Sequence, residues 1–333
     1  MSPTLKRLLA FLSDGQFHSG EQLGKALGLT RSAIWKLTKQ LTEWDLKIES
    51  ITNKGYCLPG GVSLLEKAKI LPYLTLKQQD ALELEVLDSI PSTNDYLLNL
   101  TISPHMLSKK VFACLAEKQT QGKGRRGRNW VSPFAKNIYL SLLWYFPQDP
   151  SELSGLSLAV AISIVETLKV FGVSQLGIKW PNDILCNNQK LAGILVEIKG
   201  EAHDACKAVI GIGLNVRMTN VDEDTINQPW TDLQTLTGKI INRNELAGLL
   251  LNKTINTLQR FQEQGLKAFL KQWQDFDLTF KKPVSILSAT DSYQGLGYGI
   301  NEHGHFLLEL KPNLIKSFPS GEVTLRFALP KYN

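Results

Sequence analysis

Cysteine is scarce in this chain of 333 residues. The four present, Cys57, Cys114, Cys186 and Cys206, form no C-x-x-C pair and have no histidines at matching spacing. That pattern argues against a disulfide framework and a patterned zinc site, so the thiols read as reduced small hydrophobes and no metal-ligand set is assigned. Also missing is any run of about 18 apolar residues, which argues against a spanning helix and a membrane partner. The opening MSPTLKRLLAFLSDG turns polar too early for a signal peptide, so a cytoplasmic location is expected. Internal repeats and low-complexity stretches are absent. Neither sign of charge dominates: 37 Lys+Arg face 31 Asp+Glu, a net +6 that suits a polyanionic partner without selecting one.

What remains is an ordinary globular composition, 43% hydrophobic and 20% charged, with length for two or three domains. Residues 1–61 read as helices followed by a hairpin. Leu23, Ala26 and Leu27 share a face of one helix, Gly28-Leu29 turns, and Thr30 caps a second helix that points Ile34, Leu37 and Leu41 inward. Arg31, Ser32, Lys36 and Lys39 are left outside. LKIESITNKGYCL then folds back at Asn53-Lys54-Gly55. A helix pair with a basic-tipped hairpin describes a winged helix-turn-helix, in which Arg31, Lys36, Lys39 and Lys54 meet phosphates and Ser32 reaches a base edge. A helical protein-binding module with a solvated basic face is the competing reading.

Pro59-Gly60-Gly61 marks a linker. Residues 62–280 mix helices and strands. LELEVLDSI and VFACLAEK are strands, and Ser92 to Asp95 opens a helix with capping-box spacing. GLSLAVAISIVETLKVF (155–171) is a buried helix stopped by Gly172, and Asn244 caps helices running to about Asp275. QLGIKW, ILCN, KLAGILVEI and KAVIGIGLNV follow one another through short turns, so antiparallel neighbours are expected. The class is α+β, with a mixed, largely antiparallel sheet. Residues 281–333 carry four short strands, PVSILSA, YQGLGYGI, HFLLEL and EVTLRFAL, which suggest a small β-barrel.

QTQGKGRRGRNW (119–130) spaces Gly122, Gly124 and Gly127 like a dinucleotide fingerprint. No helix follows, because Pro133 interrupts the stretch, and no ribose-binding acid stands about 20 residues on. The run also fails the phosphate-loop pattern. Five cations lie in the eleven residues from Lys118 to Arg128, so mutual repulsion predicts a mobile loop that a dense anion would order. Glycines let backbone N–H groups close around phosphate oxygens. A solvated loop touching nucleic acid is the alternative. Trp130 either covers a purine ring or fills a core. In KWPNDILCNNQKLAGILVE (179–197), Lys179, Asp183 and Lys190 collect where strands end, and Gly193 allows a ligand close. A surface ion pair is the plain alternative to a site in which Lys190 is a fixed charge for developing anions and Asp183 accepts from an amine or holds a lysine.

Together, SerThrAsn at 92–94, GKGRRGRNW, the 179–197 stretch and IGIGLNV resemble the biotin–protein ligases. The N-terminal unit resembles that of the bifunctional members, which also repress biotin synthesis genes. The resemblance spans the whole chain and implies an SH3-like form for the C-terminal barrel. It implies that biotin and ATP, with Mg²⁺, give biotinyl-5′-AMP and pyrophosphate, and that a lysine of the biotin carboxyl carrier protein of acetyl-CoA carboxylase then takes the biotin. Ser92, Thr93, Asn94 and Gln119 would hold the ureido end of biotin. Gly122, Lys123, Gly124, Arg125, Arg126 and Arg128 would clamp the adenylate, with Trp130 and Asn215 near adenine and Gly193 beside the ligand. Lys190, Arg125, Asp183 and Lys179 would serve catalysis, Lys190 bridging carboxylate and phosphate and Asp183 assisting transfer. Lys123 stands where the family usually has arginine, keeping the charge but losing the planar fork. Operator DNA and a homodimer formed with biotinyl-AMP complete the implied partners. A lipoate-type ligase, or a transcription factor that senses a small molecule without chemistry, would share parts of this pattern.

Overall fold

The structure, a computed structural model, describes residues 1–107, 109–200, 205–218, 226–321 and 323–327. The expected strand EVTLRFAL lies partly outside these, at Glu322 and from residue 328 onward.

The N-terminal unit is built from α1 (Pro3–Leu12), α2 (Gly20–Leu27), α3 (Arg31–Thr42) and the antiparallel pair β1 (Glu49–Ile51) and β2 (Gly55–Cys57). Ser19 starts α2 with a reciprocal capping box to Gln22, and Gly28 ends it in the left-handed conformation. Thr30 starts α3 by accepting the Ala33 N–H. Leu23, Leu27, Ile34 and Leu41 are buried and Leu37 is half-buried, whereas Ala26 is exposed. The inner position expected of Ala26 is taken by Gly24, where a Cβ would overlap the Leu29 carbonyl. A glycine permits the tight approach of the turn; periodicity cannot show that.

This unit is fastened to the rest of the chain. Phe134 and Ala135 lie in its hydrophobic cluster, and Trp44 meets Phe134 edge-on at 5.2 Å. Asp45, just past α3, pairs with Lys118 at 2.5 Å. Asp88 receives the N-terminal amine at 3.1 Å and Lys6 at 2.7 Å. Arg217 donates to the carbonyls of Gly60 and Gly61 at 2.9 and 3.3 Å, holding the linker down.

Beyond the linker come α4 (Lys67–Ile70), α5 (Leu76–Ala81), β3 (Leu82–Leu87), α6 (Thr93–Leu98), α7 (Pro104–Leu107), β4 (Val111–Ala116) and β5 (Ile138–Phe146). Next are α8 (Leu156–Val170), β6 (Leu176–Lys179), β7 (Asp183–Cys186), β8 (Gln189–Lys199) and β9 (Cys206–Leu214). α9 (Leu233–Thr237), α10 (Arg243–Gln264) and α11 (Leu270–Phe276) close the region. Among the described residues the seven strands run β3-β4-β5-β9-β8-β7-β6, parallel between β3 and β4 and antiparallel elsewhere.

Alternate residues of the central strands face two cores. Leu140, Leu142 and Ile210 meet α8 and α10, while Cys114, Leu143 and Val209 meet Leu97 of α6. Because both faces are covered, β5 is buried along almost its whole length. The stretch Pro150–Val170 has the length and hydropathy of a spanning helix, with a mean of 1.6, but its helical part buries eleven residues in this core.

Two capping expectations need correction. Asn242, rather than Asn244, caps α10, accepting from Asn244 and Glu245 N–H; the buried Asn244 amide instead ties down the segment after the linker at Leu64 and Glu66. At α6, Ser92 accepts from Asp95 N–H, but Asp95 turns away to pair with Lys123, so the box is half made. A fully buried pair, Arg243 with Glu117 at 2.7 Å, also receives Leu65 N–H on Glu117 and donates to Ser63 and Asn137 carbonyls. Ion and partners satisfy each other there.

The C-terminal strands are β10 (Pro283–Leu287), β11 (Ser292–Ile300), β12 (Phe306–Lys311), β13 (Leu314–Phe318) and β14 (Thr324–Phe327). They form one antiparallel sheet ordered β13-β12-β11-β10-β14. The last strand lies beside the first, as a rolled-up barrel requires, but among the described residues no hydrogen-bonded ladder joins β13 to β14. Among the described residues the hydrogen bonding is thus that of an open antiparallel sheet, and β13 (LIKSF) is a strand beyond the four that the sequence suggests.

Candidate functional site

A cavity opens over the middle of the large sheet, where β8 and β9 run with glycines instead of side chains. Its floor is Leu140, Gly193, Ile194, Gly211, Ile212 and Gly213; Ser92, Thr93, Asn94 and Gln119 form one polar end. The polar end is internally wired. Gln119 Oε1 accepts both Thr93 N–H (2.9 Å) and Thr93 O–H (3.0 Å), leaving its Nε2 to donate to Ser132 at 3.2 Å. Ser141 Oγ lies 2.7 Å from Thr93 Oγ1 and 2.6 Å from Asn94 Oδ1, and Asn94 donates to Glu197 at 2.7 Å. Such a network fixes the direction of each amide and hydroxyl and so suits a rigid polar ring.

The other end carries charge. Lys190 Nζ lies 2.7 Å from Asp183 Oδ1, with both side chains largely buried. The same amine is 5.4 Å from the centre of the Trp130 ring. Trp130 lies across β8 and β9: a Cβ on Gly213 would overlap its indole, and one on Gly193 would come within 3.1 Å of it. Gly193 lines the cavity floor and also leaves room for Trp130 and the Lys190 stem. Behind the indole is a second cavity of about 320 Å³, lined by Val131, Asn215, Met218, Ile226 and Trp230. Lys190, Trp130, Arg128, Asn129 and Gln228 border both spaces. A cation and an aromatic wall therefore stand at the junction of a polar-ended slot and a wider one.

The basic loop is folded over this junction rather than left loose. Lys123 bridges to Asn129, Gly124 N–H donates to Arg128, and Trp130 N–H donates to Gly122. Arg125 bonds the Asn182 side chain at 3.3 Å and the Ser320 carbonyl, and Arg126 bonds Thr324 at 2.6 Å. Lys123 pairs with Asp95, which holds its ammonium above the usual lysine range. Burial pulls the Arg125 guanidinium below its ordinary value, opposed by Asp183. Repulsion within the run was expected to leave the loop mobile; the structure instead gives each of these cations an oxygen, supplied for Arg125 and Arg126 largely by the C-terminal sheet.

Not every expected residue joins the junction. Lys123, Gly124, Arg125 and Arg128 line the first cavity, whereas Gly122 serves only as backbone for the loop. Arg126 and Lys179 border a smaller space with Asp183 and β14. Burial lowers the Lys179 ammonium, and it sits 5.5 Å from the Phe327 ring centre. Asn215 lines the second cavity but spends its amide on the Thr231 carbonyl at 3.0 Å. Sequence reasoning missed the Gly211 and Gly213 cradle, Asn182, Gln228, and the buttress Ser141 and Glu197. The alternation of glycine with isoleucine in IGIGLNV was the available signal for the cradle. On the N-terminal unit, Arg31, Ser32, Lys36, Lys39 and Lys54 are all exposed as expected.

A helix-turn-helix fused to a cofactor–protein ligase is the class that these parts define: residues 4–57 match an HTH domain and residues 86–215 match the biotin/lipoate A/B protein ligase family. The chain is 40% identical over 322 residues to the bifunctional ligase/repressor BirA of Escherichia coli, covering 97% of each, and 28% identical over 334 residues to that of Bacillus subtilis, covering 98% of this chain and 100% of the other. A biotin protein ligase of Aquifex aeolicus in complex with biotin and ATP superposes with a TM-score of 0.62 at 30% identity, over 74% of this chain and 99% of that one. The chain belongs to the bifunctional BirA ligase/repressor family.

Proposed function

We propose that this chain activates biotin with ATP, transfers it to a lysine of a biotin carboxyl carrier protein, and, carrying the adenylate, represses transcription as a homodimer on a two-fold operator in the cytoplasm. Residues 1–61 serve DNA, residues 62–280 the chemistry, and residues 281–333 the cover over the basic loop. The observation that carries the reading is the placement of Lys190 at the junction of two cavities, beside Trp130 and held by Asp183.

The polar slot takes the ureido ring at Ser92, Thr93, Asn94 and Gln119, and the valeryl chain runs over Ile194, Ile212 and Gly213. The second cavity takes adenine near Asn215 and Trp130. The carboxylate then meets the triphosphate at Lys190. A biotin carboxylate oxygen bonds the α-phosphorus while the bond to the β-phosphate oxygen breaks, and pyrophosphate leaves. Two anions must approach each other, and Lys190, Arg125 and Arg128 offset their repulsion. In transfer, the carrier amine bonds the anhydride carbonyl, AMP leaves, and the amine proton passes toward Asp183, whose hold on Lys190 the nucleotide loosens.

Among the described residues no group of three His, Cys, Asp or Glu could cage a metal ion, and Asp183 is engaged by Lys190. Mg²⁺ therefore fits as a companion of the nucleotide phosphates rather than as a resident of the protein.

Labelled biotin, ATP and a carrier protein provide the test. Wild type should label the carrier, and Lys190→Ala should lower adenylate formation by about 10²–10³-fold while the chain still folds. Labelling with lipoate in place of biotin, or full activity without Lys190, would overturn the assignment.

A further inference from the structure

The outward face of α3 holds a group that phosphate binding leaves unexplained. Trp35 is 47% exposed, whereas Trp180 and Trp273 are each 1% exposed. Thr30 fixes the start of the helix, so Arg31, Trp35 and Lys39 fall at successive i, i+4 positions, with Ser32 and Lys36 alongside. All five are exposed. The indole therefore sits one turn inside the helix, among cations. Lys39 Nζ lies 4.0 Å from the ring centre, covering one face of the indole.

Leaving an indole in water forgoes the burial that this chain gives Trp180 and Trp273, and the three cations beside it, Arg31, Lys36 and Lys39, would be costly to desolvate against an apolar protein surface. A duplex matches both features. Its phosphates take the lysines and Arg31, and its major groove offers one apolar group on the base edges, the thymine 5-methyl. Engagement of Lys39 by a phosphate uncovers the ring just where the groove floor arrives. Resting on the DNA-binding reading of this unit, we propose that Trp35 reads a thymine methyl, so that each half of the bound site requires an A·T pair, thymine toward the indole, opposite the middle of α3.

The test uses the full chain with biotin and ATP, selecting from a pool of randomised duplexes. Wild type should enrich a sequence with a fixed thymine in each half-site. Replacing that thymine by deoxyuridine removes only the methyl group and should weaken binding about fourfold, the value of one buried methylene-sized group. Trp35→Ala should bind about tenfold or more weakly and lose both the thymine preference and the sensitivity to deoxyuridine, with flanking positions unchanged. Trp35→Phe should keep part of the preference. The proposal is overturned if wild type enriches a sequence and Trp35→Ala enriches the same one, or if deoxyuridine costs nothing. It is also overturned if Trp35→Ala changes only the oligomeric state in sedimentation, which would make the indole a contact between copies. A wild-type chain that enriches no sequence removes the DNA-binding reading, and this proposal with it.

Discussion

The loop 119–130 and the helix α3 are both rich in arginine and lysine, yet the structure treats their charges in opposite ways. In the loop, Lys123 meets Asp95, Arg125 meets Asn182 and Ser320, and Arg126 meets Thr324. On α3 and the hairpin, Arg31, Lys36, Lys39 and Lys54 are exposed and have no ion-pair partner among the described residues. Both segments are basic; what differs is commitment. Cations already held by oxygens can be pre-aimed at one small ligand, and their geometry is fixed before it arrives. Cations left in water suit a long polyanion, whose condensed counterions they replace one by one.

If commitment is what separates the regions, its removal should cost most where the charge is deepest. Arg243→Met strands Glu117 in the core, so the chain should lose about 3–5 kcal/mol of stability in urea unfolding; a loss near zero would show that the pair is not structurally committed. Arg125→Ala should release the adenylate roughly 10-fold to 100-fold faster, reflecting a lost charge-assisted contact, with Arg125→Lys recovering only part because the fork is gone. Equal retention in all three would place the loop among the solvated cations.

The α3 side predicts the converse. Lys36→Ala should leave stability within about 0.5 kcal/mol, weaken all duplexes alike, and reduce the slope of log affinity against log salt by about 1. Lys136 lies between these extremes, its ammonium pushed down to about 8 by burial beside Arg217 and Arg243. Because the unfolded chain holds that proton up to the ordinary lysine value of 10.5, stability should rise with pH from about 8 to 10.5 as the folded chain sheds the penalty. Lys136→Met should flatten that rise.

These differences also mark what the sequence could show. The helix-turn-helix, the antiparallel run from β6 to β9 and the clustering of Lys179, Asp183 and Lys190 were legible because each rests on caps, short turns and periodicity between chain neighbours, whereas the pairing of β5 with β9 joins segments about seventy residues apart. Closure of the basic loop was not legible. Its oxygens come from Ser320 and Thr324, almost two hundred residues away, and no local rule places β14 beside Arg126. Gly24 inside α2 escaped for a related reason, since an inward glycine records close backbone approach rather than hydrophobicity. Asn242 was within reach, as Glu245 stands three residues on in the spacing of a cap.

The most direct measurement is pyrophosphate release on mixing the full chain with biotin and excess ATP, without a carrier. A clamped adenylate gives a fast burst of one pyrophosphate per chain and then a stall that added carrier protein relieves. Steady release with no acceptor would mean that the loop leaves the anhydride open to water, and no release with biotin would remove the ligase site itself.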